Sequence, residues 1–208
     1  MSRSEDESAA QQPARIVNIV GKLVALGPFT REDLALYTRW LNDFAVTRYY
    51  LDTPRPQTQE ERATAYERLS AGDPYNIDFA ICELATMRPI GRVGLEDISY
   101  QHRRATFGIL IGEKDCWGKG YGTEATRLTL EYGFRLLGLH NIMLSVSSAN
   151  TAAIRAYTRA GFRVIGVRRE CRREGDALLD SVFMECLSTE YDATTSSLPQ
   201  PVDAGEKE

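Results

Sequence analysis

At 208 residues, 43% hydrophobic and 26% charged, the chain has the composition of an ordinary soluble globular protein and the length of a single domain. Its net charge of −4 resides in the ends: residues 1–14 carry −2 and residues 191–208 carry −3, which leaves +1 for residues 15–190. That near-neutral body has no basic stripe interleaved with aromatics, which excludes nucleic acid as an expected partner, and no apolar run is long enough to span a bilayer.

Both ends read as polar, disordered tails, the second containing Thr194-Thr195-Ser196-Ser197, Pro199 and Pro201. Residues 1–14 lack the basic-then-apolar layout of a signal peptide, so a cytoplasmic protein without membrane contact is expected. Cys82, Cys116, Cys171 and Cys186 form no Cys-x-x-Cys pair and have only His102 and His140 to supplement them; reduced thiols and no metal are expected.

In chain order, a first strand is predicted around Lys22–Ala25, broken by Gly27-Pro28. Thr30, with Asp33 three residues on, opens a helix whose apolar stripe is Leu34, Leu36, Tyr37, Trp40 and Leu41. Tyr49-Tyr50-Leu51-Asp52 leads into a loop carrying Pro54 and Pro56, and the capping box Thr58-Gln59-Glu60-Glu61 starts a second helix ending near Gly72. Residues 77–84 and 90–98 alternate as a hairpin around Thr86–Arg88, and Ala105–Ile111 is the next strand. A helix from about Gly122 is expected to bury Ala125, Leu128, Tyr132 and Leu136 and to close at Gly138-Leu139. Strand 142–146 follows, then a helix opened by Asn150 and closed at Gly161, a strand at 162–167, a turn at Arg173–Asp176 and a last strand at 178–187. Strand, loop, helix, strand in the middle requires a crossover, so strands 105–111 and 142–146 should be parallel neighbours. The fold class is therefore α/β: a mostly antiparallel mixed sheet with one parallel pair, flanked by helices.

The stretch from Gly108 to Ala125 concentrates the chemistry. A strand empties through Gly118, Gly120 and Gly122 into a helix N-terminus, where unpaired N–H groups and the positive end of the helix dipole hold phosphate. An NTP-binding loop would need Gly-Lys-Ser/Thr, but Gly118-Lys119 is followed by Gly120. A dinucleotide fingerprint needs G-x-G-x-x-G, but Thr123 fills the third slot, and the next strand ends in Ser147-Ser148 without an acidic residue for a ribose. No Gly-x-Ser-x-Gly or Cys/His arrangement supports a hydrolase, and Cys116 has no evident base for an acyl-cysteine route.

Trp117-Gly118-Lys119-Gly120-Tyr121-Gly122 resembles the acetyl-CoA loop Arg/Gln-x-x-Gly-x-Gly/Ala of the GCN5-related N-acetyltransferases, departing from it at the first position. Downstream, Asn150 to Phe162 is similar to that family's Asn-x-x-Ala-x-x-x-Tyr-x-x-x-Gly-Phe segment. The run Trp117–Ala125 looks like the branch that acetylates the N-termini of ribosomal proteins. The resemblance covers roughly residues 20–190 in element order, with strong motifs in 105–167.

The resemblance implies acetyl-CoA as cosubstrate, with the main-chain N–H groups of Trp117, Gly118, Lys119, Gly120, Tyr121, Gly122 and Thr123 on its pyrophosphate. It implies that Ile109, Leu110 and Ile111 pair with pantetheine, one N–H near Leu110 polarising the thioester carbonyl, and that Asn150 bonds the same arm. Asn150 is equally a good N-cap in its own right. Tyr157 is implied as the acid that protonates the departing thiolate, a role open to a phenol protonated at neutral pH. A base must also deprotonate the ammonium: Glu96 leads, with Asp97 and His102 beside it as candidates, while Asp52 and the Tyr49-Tyr50 pair lie in a loop where the resemblance implies acceptor-binding groups. The expected function is acetyl transfer to a primary amine, foremost a protein N-terminal α-amine. The alternatives are a small amine (polyamine, amino acid or aminoglycoside) or a catalytically silent acyl-CoA-binding module. Expected partners are that amine acceptor and, as the oligomeric state entertained, a homodimer.

Overall fold

The computed structural model describes residues 15–51 and 53–191, so Asp52 and the tails expected at 1–14 and beyond Tyr191 lie outside the described residues. Its strands are β1 (Ile19–Val20), β2 (Val24–Pro28), β3 (Ile77–Glu83), β4 (Pro89–Ser99), β5 (Arg104–Ile111), β6 (Asn141–Ser147), β7 (Arg163–Glu174) and β8 (Ala177–Leu187). Its helices are α1 (Leu34–Asn42), α2 (Phe44–Thr47), α3 (Gln59–Ser70), α4 (Tyr121–Arg135) and α5 (Thr151–Ala160). The strands form one sheet in the order β1-β2-β3-β4-β5-β6-β8-β7. Among the pairs, β5 with β6 is parallel and the rest are antiparallel, as the crossover argument requires.

Alternation along β4 and β5 divides two cores. Val93, Leu95 and Phe107 enter the larger one with Ala125, Leu128 and Leu130 of α4 and Ile142 and Leu144 of β6. Leu110 enters a smaller one with Tyr37, Trp40 and Leu41 of α1 and Val46 of α2. Each fully buried Leu or Ile contributes about 1.5–3 kcal/mol by leaving water. Gly112 determines how α1 docks: a Cβ there would lie 2.0 Å from the Trp40 ring, so only glycine admits the indole at the end of β5. The Trp40 indole N–H then donates to Glu113 Oε1 at 2.9 Å.

Three expectations change. The strand expected around Lys22–Ala25 is β2, which runs Val24–Pro28 and includes the Gly27-Pro28 pair, because Pro28 occupies its final position and Gly27 leaves room for the Ile16 carbonyl; β1 precedes it. Leu136 lies just past the end of α4 and is 59% exposed, whereas Thr126, Thr129 and Glu131 are buried. Both threonines satisfy their hydroxyls on α4 carbonyls four residues back, so burial leaves no unpaired polar group there. Tyr191, assigned by composition to the tail, packs its ring against Phe134 and donates to the Arg127 carbonyl at 3.0 Å. The short helix α2 had no sequence signal beyond Asp43, whose carboxylate accepts from Ala45 N–H at 3.0 Å. No helix among the described residues is long and apolar enough to cross a membrane.

Candidate active site

The β5–β6 pairing covers three positions, Arg104 with Asn141 to Thr106 with Met143. Beyond them the strands part. β6 stays paired with β8 to Ser147 and β5 stays paired with β4 to Ile111, so a gap opens between residues 107–111 and 144–147. Gly112 N–H donates to the Ile90 carbonyl, and a Cβ on Gly91 would lie 2.3 Å from Leu110 O. Strand alternation therefore turns the main chain of Leu110 toward β4 and that of Ile109 and Ile111 toward the gap. This corrects the placement of Leu110: its N–H belongs to the β4 ladder, and its side chain packs under α1 and α2.

The gap leads to the glycine loop. Gly118 and Gly120 have φ of +74° and +89°, a left-handed backbone that favours glycine, and Gly120 is the N-cap of α4. Having no side chain, it leaves the N–H groups of Tyr121, Gly122 and Thr123 without a protein acceptor among the described residues. Trp117 stands where the family motif has Arg or Gln, and its indole N–H donates to Ile111 O at 2.9 Å, tying the loop to the end of β5. Lys119 is exposed, and the Tyr121 hydroxyl donates to Glu83 Oε1 at 2.8 Å, so Tyr121 offers the gap main chain rather than side chain.

Glu124, one turn into α4, locks this helix in place. Its carboxylate accepts from the N–H groups of Lys22, Leu23 and Val24 at 2.9, 2.6 and 2.8 Å. A Cβ on Gly21 would lie 2.8 Å from that carboxylate, so the β1–β2 turn closes on it only with glycine. Charge-assisted bonds of this kind are worth about 1.5–3 kcal/mol each before solvent exposure discounts them. Glu124→Ala should lower unfolding free energy by about 2–4 kcal/mol in urea titration, as the loop loses its anchor.

Tyr157, on α5, is half-buried with its ring edge-on to Phe107 of β5 and against Phe162, both at 6.0 Å between centroids. Its hydroxyl has no protein hydrogen-bond partner among the described residues, and burial pushes the phenol up to about 12. Asn150 Oδ1 accepts from Ala153 N–H at 3.2 Å, capping α5.

On the opposite face of the sheet, β4 carries Arg92 and Glu96 toward α1 and α2. Arg92 lies 2.6 Å from Asp78 Oδ1 and 3.7 Å from Glu96, and donates to the hydroxyls of Tyr37 and Tyr50 at 3.1 Å each. Glu96 Oε1 lies over Gly108 of β5, 3.8 Å from where a Cβ would stand, beside the gap. Burial pushes its carboxyl above the ordinary range; Arg92 pulls it down, and Asp78 and Asp97 push it further up. His102 sits in the turn before β5, roughly 20 Å or more along the strand from Ile111, so the fold brings Glu96 and not His102 to the gap. Cys116 is buried and its thiol is pushed up by burial, the opposite of an activated nucleophile. No cluster of three metal-ligating side chains exists among the described residues.

Sequence reasoning missed Glu124 and Arg92. An arginine in mid-strand between apolar neighbours was the available signal for the second.

A family model described as Acetyltransferase (GNAT) domain matches residues 24–163. The spermidine N(1)-acetyltransferase of Escherichia coli (strain K12) is 34% identical over 144 residues, covering 69% of this chain and 74% of that protein. An uncharacterized N-acetyltransferase, p20 of Bacillus licheniformis, is 29% identical over 162 residues, 77% of this chain and 90% of its own. Among solved structures, the spermidine N-acetyltransferase from Vibrio cholerae in complex with CoA and spermine aligns with a TM-score of 0.75 at 27% identity. That alignment covers 82% of this chain and 99% of that one.

Proposed function

The chain belongs to the acetyltransferase (GNAT) domain family and is an acetyl-CoA-dependent amine N-acetyltransferase, and from that premise we propose that its acceptor is a small-molecule amine. The relatives named for spermidine favour a small amine over the protein N-terminus expected from the loop motif. The observation that carries the site assignment is the gap between β5 and β6, which ends at a helix N-terminus with no side-chain cap and has Tyr157 on its wall.

These residues fit acetyl-CoA. Three unpartnered N–H groups at a glycine-capped helix end suit a pyrophosphate, and the main chain of Ile109 and Ile111 suits an amide-bearing arm. Asn150 can bond that arm through its amide nitrogen while its oxygen caps α5. Acetyl-CoA supplies a thioester carbonyl carbon that a neutral amine attacks directly: the C–N bond forms, the C–S bond breaks, and the sulfur leaves with the bonding pair.

The protein's share is proton handling and positioning. A primary amine near Lys in basicity, with a pKa of about 10.4, is almost wholly charged at pH 7, so Glu96 takes the proton, directly or through one water. A main-chain N–H facing the gap, that of Ile109 or Ile111, polarises the carbonyl oxygen as it gains charge. The Tyr157 hydroxyl donates to the departing sulfur. A thiol with a pKa of about 8.5 is a stronger acid than this phenol, so Tyr157 acts chiefly as a hydrogen-bond donor to the developing thiolate, whose final proton solvent can supply.

The working form of Glu96 is ionised, and its raised pKa means that form is lost at a higher pH than for an ordinary carboxylate. The acidic limb of kcat/KM should therefore lie above the usual carboxylate range, and Glu96→Gln should remove it while lowering the rate about 10²-fold or more. An unchanged limb in that variant would reassign the base. The reading as a whole is tested by CoA-thiol release across spermidine, monoamines, amino acids, aminoglycosides and peptide N-termini. Tight acetyl-CoA binding with no release from any amine would overturn it in favour of a silent binding module.

A further inference from the structure

Residues 48–51 follow α2 directly. The N–H groups of Tyr50 and Leu51 donate to the Thr47 carbonyl at 2.9 and 3.2 Å, and Thr47 is fully buried, so the segment leaves α2 in a fixed direction. Its side chains then part. Tyr50 reaches β4, where its hydroxyl accepts from Arg92 at 3.1 Å and lies 3.5 Å from that of Tyr37. Arg48 reaches the end of β7 and pairs with Glu174. Tyr49 and Leu51 line a cavity of about 410 Å³ together with Ser145 and Ser147 of β6. In the sheet order, β5 and the gap stand between β4 and β6. A segment with one side chain on β4 and its neighbours toward β6 and β7 therefore passes over the gap, on the face that carries Arg92 and Glu96.

The two ends of this strap are held unequally. The Arg48–Glu174 pair is exposed on its Arg48 side, and ion pairs so placed hold weakly. The other end is held inside: Tyr50 and Leu51 pack on the cluster of Tyr37, Trp40, Leu41 and Leu110. Burial raises the Tyr50 phenol above its ordinary value, more than the Arg92 cation offsets, so its hydroxyl stays neutral and serves as an acceptor. Arg92 is also 3.7 Å from Glu96, which puts the firm end of the strap beside the proposed base and the loose end over the cavity.

Resting on the proposed acetyltransferase reading, we infer that Tyr50 is a positioning residue for the acceptor: by pinning residues 48–51 over the gap it keeps the bound amine against Glu96. Its hydroxyl is already engaged with Arg92, so it acts through the strap and not as a contact of the amine. Loss of that hydroxyl frees the strap at its firm anchor. The amine then escapes more easily, while the reaction of an amine that stays bound is little changed, which is the signature of a raised KM at constant kcat.

The test is steady-state kinetics of the full chain carrying Tyr50→Phe, Glu174→Ala or both. The probe is spermidine, or the fastest-acetylated amine of the panel above where spermidine is not turned over. Phenylalanine keeps the ring in its cluster, and Tyr37 still accepts from Arg92, so no guanidinium is stranded. Tyr50→Phe should raise the acceptor KM about fivefold or more, with kcat and the dissociation constant for acetyl-CoA within about twofold of the parent. Glu174→Ala should act in the same direction and by less. The two side chains share no hydrogen-bond or ion-pair partner among the described residues, and independent sites would multiply their effects. Joined through one strap, they should give a double variant no worse than the worse single one. Multiplied effects would overturn the inference, because the two ends would then act separately. An unchanged acceptor KM in Tyr50→Phe would overturn it too, as would a fall in kcat alone with a displaced acidic limb, which would assign Tyr50 to the setting of Glu96 through Arg92. Each of these leaves the acetyltransferase reading standing. No turnover of any amine by the parent would remove that reading and the inference with it.

Discussion

Tyr157→Phe is expected to lower kcat by about 10²–10⁴-fold while leaving the dissociation constant for acetyl-CoA within about twofold of the parent. The substitution is clean because the ring and the hydroxyl do separate work. The ring packs edge-on to Phe107 and against Phe162, contacts that phenylalanine keeps. The hydroxyl has no protein partner among the described residues, so its removal orphans no buried group and should leave stability within about 0.5 kcal/mol. With the phenol pushed up to about 12 by burial, the donor stays protonated across the neutral range, and no basic limb from Tyr157 should appear there. Pre-steady-state CoA release and equilibrium acetyl-CoA titration check the split. Parallel loss of turnover and affinity would make Tyr157 a packing residue that shapes the gap.

Most of the fold was legible because local rules and tertiary demands agree in it. Thr58 with Glu61 forms the expected reciprocal cap, Asn150 caps α5, and Gly161 closes that helix at φ +117°. The crossover rule gave the parallel pair, but no rule of sequence gave its length, and the site exists because that pairing stops after Thr106. Leu110 was misplaced for a related reason: the motif locates a strand, while the direction of each N–H depends on register, which is set by the bond from Gly112 to Ile90. Glu124 escaped notice because its partners lie about 100 residues away. Charge at such positions looks like solvated surface until the chain is folded.

Arg92→Met is expected to cost about 3–5 kcal/mol of unfolding free energy and, separately, to move the acidic limb of kcat/KM to higher pH. Methionine keeps the volume of the stem but removes the cation from a mostly buried cluster in which Asp78 is 11% exposed. Asp78 cannot move away: it lies over the main chain of β4, where a Cβ on Gly94 would be 2.4 Å from its Oδ1. Its charge is then stranded beside the Tyr37 and Tyr50 hydroxyls, which lose their shared donor. The second effect follows from the sign of the Arg92 contribution at Glu96. Arg92 lowers that pKa against burial, so its loss lets burial and Asp78 raise the pKa further, and the ionised base appears only at higher pH. Stability follows the same direction. As pH rises past the ordinary carboxylate pKa, the unfolded chain releases its Glu96 proton first, so the unfolded state gains and the parent loses stability until Glu96 ionises in the fold. The variant should lose stability over a wider pH interval than the parent. Urea midpoints between pH 5 and 8, set beside rate profiles over the same range, read both effects. A destabilised variant whose rate limb stays in place would confine Arg92 to the core and detach it from the base.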